Sequence, residues 1–99
     1  MEKRTPHCKL SKVKTLVSAG RVTTTSSAAA CARQLGIRFQ GMCDVVLALN
    51  PAEFYKSMTT HADHRVWQDV YHTKTACGVP LYVKLSVVDD VLIVSFKEL

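Results

Sequence analysis

The feature that most constrains this chain is a switch of hydrophobic period part-way along it. Up to Leu49 the apolar residues recur at helical spacing, whereas from Val66 onward they recur at every second position. Trp67, Asp69 and Tyr71 alternate with Val66, Gln68, Val70 and His72. Leu81, Val83, Leu85 and Val87 then alternate with Tyr82, Lys84, Ser86 and Val88. The last run sets Val91, Ile93, Ser95 and Lys97 on one face against Leu92, Val94 and Phe96 on the other, and Asp89-Asp90 between the final two runs marks a turn. Helices followed by an antiparallel meander predict an α+β fold in which the helices cover one sheet face. The other face is left for function. With 99 residues, the expectation is a single domain over residues 1–99, and a 47% hydrophobic fraction supplies one core and excludes a disordered chain.

In the first half, Ser11 reads as the cap of a helix that buries Val13, Leu16 and Val17 and stops at Gly20. Arg21 to Thr24 is short and β-branched, so it reads as a brief strand leading into a Ser26/Ser27 cap. The second helix runs through the alanines to Leu35 and ends at Gly36. Gly41 opens a compact apolar run from Met42 to Leu49. Asn50, Pro51 and Glu53 then supply a cap, an N1 proline and a box-like acid, which predicts a fourth helix carrying Phe54, Tyr55 and Lys56.

Charge narrows the function class. The net charge is +5, but residues 1–38 hold eight basic residues against Glu2 alone, a net of +7, while residues 39–99 sum to −2. This asymmetry points to a polyanion, and to nucleic acid rather than membrane, because no strongly hydrophobic amphipathic helix accompanies it. Cys8, Cys31, Cys43 and Cys77 form no C-x-x-C pair, so neither a zinc ribbon nor a thioredoxin motif can be drawn, and reduced, packed thiols are expected. Met1 to Cys8 is charged and lacks the apolar run of a signal peptide. No stretch approaches the ~20 apolar residues of a membrane span, so a cytoplasmic location is expected.

Several chemistries drop out. Four dispersed glycines make no phosphate cradle, and no nucleophile elbow occurs. A helix-turn-helix is disfavoured because Arg21 to Ser27 is a poor tight turn. His61 and His64 lack complementary ligands beyond Asp63, so no metal site is expected. A metal-free nuclease needs a base, a cation for the charged transition state and an acid for the leaving oxygen. Lys56, His61, His64, Gln68, His72, Tyr82 and Lys97 hold the right groups. Gln68, Tyr82 and Lys97 are polar positions in apolar alternations and converge on the open face if registers permit. Lys56 would arrive from the adjoining helix end, and Lys84 or Arg65 would seat a phosphate. Asp69 faces the helices or an edge partner.

The segments MEKRTPH (Met1 to His7), GMC (Gly41 to Cys43), FYKSMTT (Phe54 to Thr60), WQDVY (Trp67 to Tyr71) and DVLIVSFKE (Asp90 to Glu98) closely resemble the motility quorum-sensing regulator (MqsR) toxin family, in order and over nearly the whole chain. The resemblance implies a RelE-like α+β fold and a type II toxin of a toxin–antitoxin system. Such a toxin is an endoribonuclease, an mRNA interferase that cuts at short GC-containing sites without the ribosome. It implies no cofactor of its own. Its cognate partner would be an MqsA-like antitoxin that binds zinc and DNA, so the toxin would reach operator DNA only through the antitoxin. The family's active-site Lys, Gln and Tyr fall on Lys56, Gln68 and Tyr82, and a further basic position falls on Lys97. His61 stands where the family carries a tyrosine.

The resemblance implies attack by the RNA 2′-hydroxyl on its own phosphate, with DNA inert for want of that group. Lys56 and Lys97 would stabilise phosphate charge, Tyr82 would donate a proton or position the substrate, and Gln68 would hold phosphate or base. His61, Arg65 and Lys84 would contact substrate. The general base is open between Lys56 and His61, since a lysine must be depressed by burial or neighbouring cations to act as one. The competing class is a non-catalytic basic module that holds nucleic acid without turnover. On the toxin reading the N-terminal basic excess is a steering and backbone-holding surface for RNA or an antitoxin contact rather than the catalytic site, and on the competing reading it is the patch that holds nucleic acid or an acidic partner.

Overall fold

The structure, a computed structural model, describes residues Met1–Leu99. Its elements run β1 (Glu2–Lys3), α1 (Leu10–Ser18), β2 (Val22–Thr24), α2 (Ser26–Gln34), α3 (Phe39–Leu47), a 3-10 turn (Pro51–Glu53), β3 (Phe54–Thr59), β4 (Trp67–Lys74), β5 (Pro80–Val87) and β6 (Val91–Glu98). The α+β expectation holds. One six-stranded sheet has the order β1-β3-β4-β5-β6-β2, with β2 parallel to β6 and the other pairs antiparallel.

Each helix buries a narrow stripe. In α1 the stripe is Val13, Leu16 and Val17, in α2 Ala28 and Ala32, and in α3 Met42, Cys43 and Val46. All pack on Tyr71, Leu81, Val83, Leu85, Val91, Ile93 and Phe96 of the sheet, which form one continuous core with them. The two alanines let the backbone of α2 come close to β6. No helix is long and apolar enough to cross a membrane.

Helix boundaries differ from the sequence reading where capping is concerned. Ser11 is not a cap: α1 starts at Leu10, and the Lys9 carbonyl accepts the first helical bonds, from Lys12 N at 3.0 Å and Val13 N at 3.1 Å. The cap of α2 is Thr25 rather than Ser26 or Ser27, its hydroxyl oxygen accepting from Ala28 N at 3.1 Å. Gly41 lies inside α3, where a Cβ would come within 2.9 Å of the Ile37 methyl.

The fourth helix is absent, and Lys56 lies on a strand. The box at Asn50 forms, with the Asn50 side chain accepting from Ala52 N and Glu53 Oε1 accepting from Asn50 N. It closes one turn only. Glu53 Oε2 accepts a bond from the Thr73 hydroxyl of β4 at 2.7 Å, so the turn is pinned to the sheet, and Phe54 leaves it extended.

Two register shifts decide which side chains reach the open face. On β3, Phe54 pairs with Tyr71 but Lys56 pairs with Val70, so Tyr55 is a bulge residue. On β6, Lys84 pairs with Ser95 but Leu85 with Ile93, so Val94 is extra. Strict alternation would have put Phe96 opposite Val91 and Ile93. The bulge instead brings all three into the core and leaves Ser95 and Lys97 on the other face. The cap of α2 holds this bulge in place, because the Thr25 hydroxyl donates to the Val94 carbonyl at 3.2 Å.

The charged N-terminal segment is ordered. β1 pairs along β3, the Met1 ammonium donates to Thr59 Oγ1 at 3.1 Å, and buried Asp69 accepts from the amides of His7 and Cys8, each at 3.0 Å. Asp69 thus faces the helix side, as its place in the alternation requires. Asp89 takes a positive φ of 82° in the β5–β6 turn, and the Arg21 guanidinium bonds Asp90 there at 2.7 Å. All four cysteines are unpaired.

Candidate active site

On the sheet face away from the helices, the register sets side chains in three rows. Met58, Gln68 and Ser86 form the first, Lys56, Val70, Lys84 and Ser95 the second, and His72, Tyr82 and Lys97 the third. Rows two residues apart lie about 7 Å from one another, and neighbouring strands about 4.8 Å apart. Val70 is fully buried yet stands outside the helix-side core, so the stems of its polar neighbours cover it. The lysine stems therefore pack on an apolar base. Of the residues expected to converge, Lys56, Tyr82 and Lys97 come together, with Lys84 between Lys56 and Lys97, while Gln68 shares the face but stands two rows from Tyr82.

The bulge at Tyr55 adds what periodicity does not show. Tyr55 and Lys56, consecutive in sequence, both lie on this face: the Tyr55 ring stacks on His72 at 4.2 Å and 18°, and Lys56 Nζ stands 5.5 Å from the Tyr55 ring. His72 in turn lies 5.8 Å from Tyr82 at 45°. Lys97 Nζ is 4.9 Å from the Tyr82 ring centre, and Lys84 Nζ 5.9 Å. The result is an aromatic ladder edged by cations.

Two N-terminal residues reach the site as well. Glu2 accepts from Lys56 Nζ at 2.6 Å, and Arg4 lies 5.6 Å from the Tyr55 ring with its Nη1 donating to the Tyr55 carbonyl. Part of the N-terminal charge therefore reaches this face of the sheet rather than lying wholly apart from it. Sequence reasoning missed Glu2, Arg4 and Tyr55, because a two-residue edge strand and a bulge leave no periodic signal.

The ionisation of the cluster follows from these contacts. The Glu2 hydrogen bond raises the Lys56 pKa, and Lys56 holds the Glu2 carboxyl below the usual carboxylate range. Lys56 is thus favoured as a cation. Burial raises the Tyr82 hydroxyl, although Lys56 opposes the shift, so Tyr82 stays protonated at neutral pH and can donate. Burial, then the charges of Lys97 and Lys56, lower Lys84.

His61 and Arg65 do not join the cluster. Both lie in the loop from residue 60 to 66, beyond the Met58–Gln68 end of the hairpin. The Arg65 side chain is 90% exposed and its guanidinium is engaged by Asp63 at 3.1 Å. Of the three expected substrate contacts, only Lys84 stands on the face. No group of three or more His, Cys, Asp or Glu side chains gathers to hold a metal ion. A cavity of about 400 Å³ lies elsewhere, lined by His7, Cys8, Lys9, Lys12, Val87 and Asp89. The candidate site is instead an open surface, which suits a polymer better than a small molecule.

Comparison with known proteins bears on this surface. The family model described as "Motility quorum-sensing regulator, toxin of MqsA" matches residues 5–98. The chain is 57% identical over 98 residues to the mRNA interferase toxin MqsR of Escherichia coli (strain K12), with 99% of each chain covered.

Proposed function

The chain belongs to the family of motility quorum-sensing regulator toxins, and on that premise we propose that it is a toxin acting as an mRNA interferase, an endoribonuclease whose reaction runs on the open sheet face. The observation that carries this reading is the meeting of Lys56, Lys84 and Lys97 around Tyr82, with Gln68 on the same face. Three cations within a few strand spacings seat a phosphate and offset the charge that builds on it during cleavage. Tyr55 and His72 offer flat surfaces for unstacked bases, which favours single-stranded RNA.

The 2′-hydroxyl attacks the adjacent phosphorus, giving a 2′,3′-cyclic phosphate and a 5′-hydroxyl. Lys56 and Lys97 stabilise the phosphate, Tyr82 protonates the departing 5′ oxygen, and Gln68 positions phosphate or base. On this reading cleavage proceeds without metal or ribosome, at short GC-containing sites. Neutralisation in the cytoplasm falls to an MqsA-like antitoxin that binds zinc and DNA, and the toxin meets operator DNA through it. The helical basic surface of Lys12, Lys14, Arg33 and Arg38 steers RNA or contacts that antitoxin.

The test is incubation of the chain with RNA and with DNA of the same sequence, in the presence of EDTA. Cleavage of RNA alone, lost in Lys56→Ala and Tyr82→Ala, supports the enzyme. Salt-sensitive retention of both polymers without cleavage supports the binding module instead.

A further inference from the structure

A ribonuclease of this kind needs a group to take the 2′-hydroxyl proton, and neither sequence candidate fills the role: Lys56 is held as an ammonium by Glu2, and His61 lies in the β3–β4 loop. We propose that His72 is the general base, an assignment that rests on the ribonuclease reading and deepens it. His72 stands in the row of Tyr82 and Lys97, at the centre of the aromatic ladder. Tyr55 covers one side of its ring at 4.2 Å and Tyr82 lies against it at 5.8 Å. The stack fixes the plane of the imidazole and leaves its edge, which carries both nitrogens, available. No hydrogen bond within the chain engages either nitrogen, and neither is shut off from solvent. An unengaged imidazole beside three phosphate-binding cations is placed as a proton acceptor must be.

Tyr55 from β3 and Tyr82 from β5 lie against the His72 ring, and the charged groups nearby are set on those two rings, Lys56 from β3 and Arg4 from the N-terminal segment on Tyr55, Lys84 from β5 and Lys97 from β6 on Tyr82. Lys74 follows on its own strand, and the Glu2 carboxylate is taken up by Lys56. No carboxylate therefore bonds the imidazole. In the step, one imidazole nitrogen takes the 2′-hydroxyl proton as the 2′ oxygen bonds to phosphorus. The bond from phosphorus to the 5′ oxygen breaks, its electron pair leaves on that oxygen, and the Tyr82 hydroxyl supplies the proton. Imidazolium and phenolate then return to their starting forms by exchange with water. Acid and base are neighbours across β4 and β5, which lets one phosphate reach both.

The experiment is a pH–rate profile for cleavage of a defined transcript by the intact chain and by His72→Phe and His72→Gln, with retention measured on the fully 2′-methoxy form, which cannot be cut. His72→Phe preserves the stack but has no ring nitrogen. For the unaltered chain, the rate is expected to rise with pH along the limb of a single base and then level. Both variants are expected to cleave about 10²–10⁴-fold more slowly and to lose the rising limb. Retention by His72→Phe, which keeps a flat ring for a base to stack on, should hold within about threefold while its cleavage falls, which separates the proton transfer from the holding of RNA. The proposal is overturned if the unaltered chain cleaves with no such limb, if His72→Phe keeps both rate and limb, or if retention falls as far as cleavage. Absence of any RNA cleavage by the unaltered chain overturns the ribonuclease reading itself.

Discussion

Asp69 carries the contact that ties the N-terminal segment to the sheet, and its removal has a magnitude that can be worked out. The residue is 5% exposed, and its carboxylate accepts two backbone bonds at 3.0 Å, from His7 and Cys8. Hydrogen bonds to a charged group contribute about 1.5–3 kcal/mol each. In Asp69→Ala the two freed amides, on residues that are exposed or only partly buried, regain some water, so the expected loss is about 2–4 kcal/mol rather than the full sum. For a domain of this size that lowers Tm by roughly 10–20 °C, at about 5 °C per kcal/mol. Asp69→Asn keeps one carbonyl acceptor and should lose about half as much. Urea denaturation gives both values, and hydrogen exchange should show the amides of Glu2 and Lys3 losing protection before those of β4. A loss below about 0.5 kcal/mol in Asp69→Ala, the level of an ordinary surface change, would refute the reasoning, as would Asn as damaging as Ala.

Other consequences follow from the site. Lys56→Ala or Tyr82→Ala should cut RNA cleavage by roughly 10²–10³, the usual effect of losing one electrostatic donor, and should leave urea midpoints near that of the unaltered chain. Glu2→Gln frees the Lys56 ammonium for phosphate, so RNA retention should tighten in a filter-binding assay; weaker retention would show that Glu2 does not compete with substrate. The Glu2–Lys56 pair joins a lowered carboxyl to a raised ammonium. Its contribution is lost only as pH falls through the depressed Glu2 value or rises through the raised Lys56 value, so an acid–base denaturation series of Glu2→Gln should match the unaltered chain least near neutrality. Burial pushes Tyr71 up to about 12. Its neutral form is bound more tightly in the fold, so stability should fall as pH climbs above 10, and ultraviolet titration should find one phenol ionising only near pH 12.

How much of this was legible beforehand depends on the kind of signal. The long alternations of β4 and β5 were readable because one face of each strand is buried, and the same alternation placed Gln68, Tyr82 and Lys84 on the other face. Lys56 was misplaced because Asn50, Pro51 and Glu53 carry a true helix-start signal, while the tie from Glu53 to Thr73 that ends the helix after one turn comes from a distant strand. The two bulges were invisible for a related reason. An extra residue such as Tyr55 or Val94 leaves no mark in a two-residue period, and what holds Val94 is the Thr25 hydroxyl, far away in sequence. Glu2 and Arg4 give no local signal, because their partners, on β3, lie more than fifty positions on.

The central claim is that this face cuts RNA by its own side chains. Mapping both ends of every fragment from a defined transcript, incubated with the chain and EDTA, tests it most directly. The expected result is internal cuts leaving 2′,3′-cyclic phosphate and 5′-hydroxyl ends, with the matching DNA intact. Fragments with 5′-phosphate ends, cleavage that vanishes with chelator, or equal cutting of DNA would contradict it.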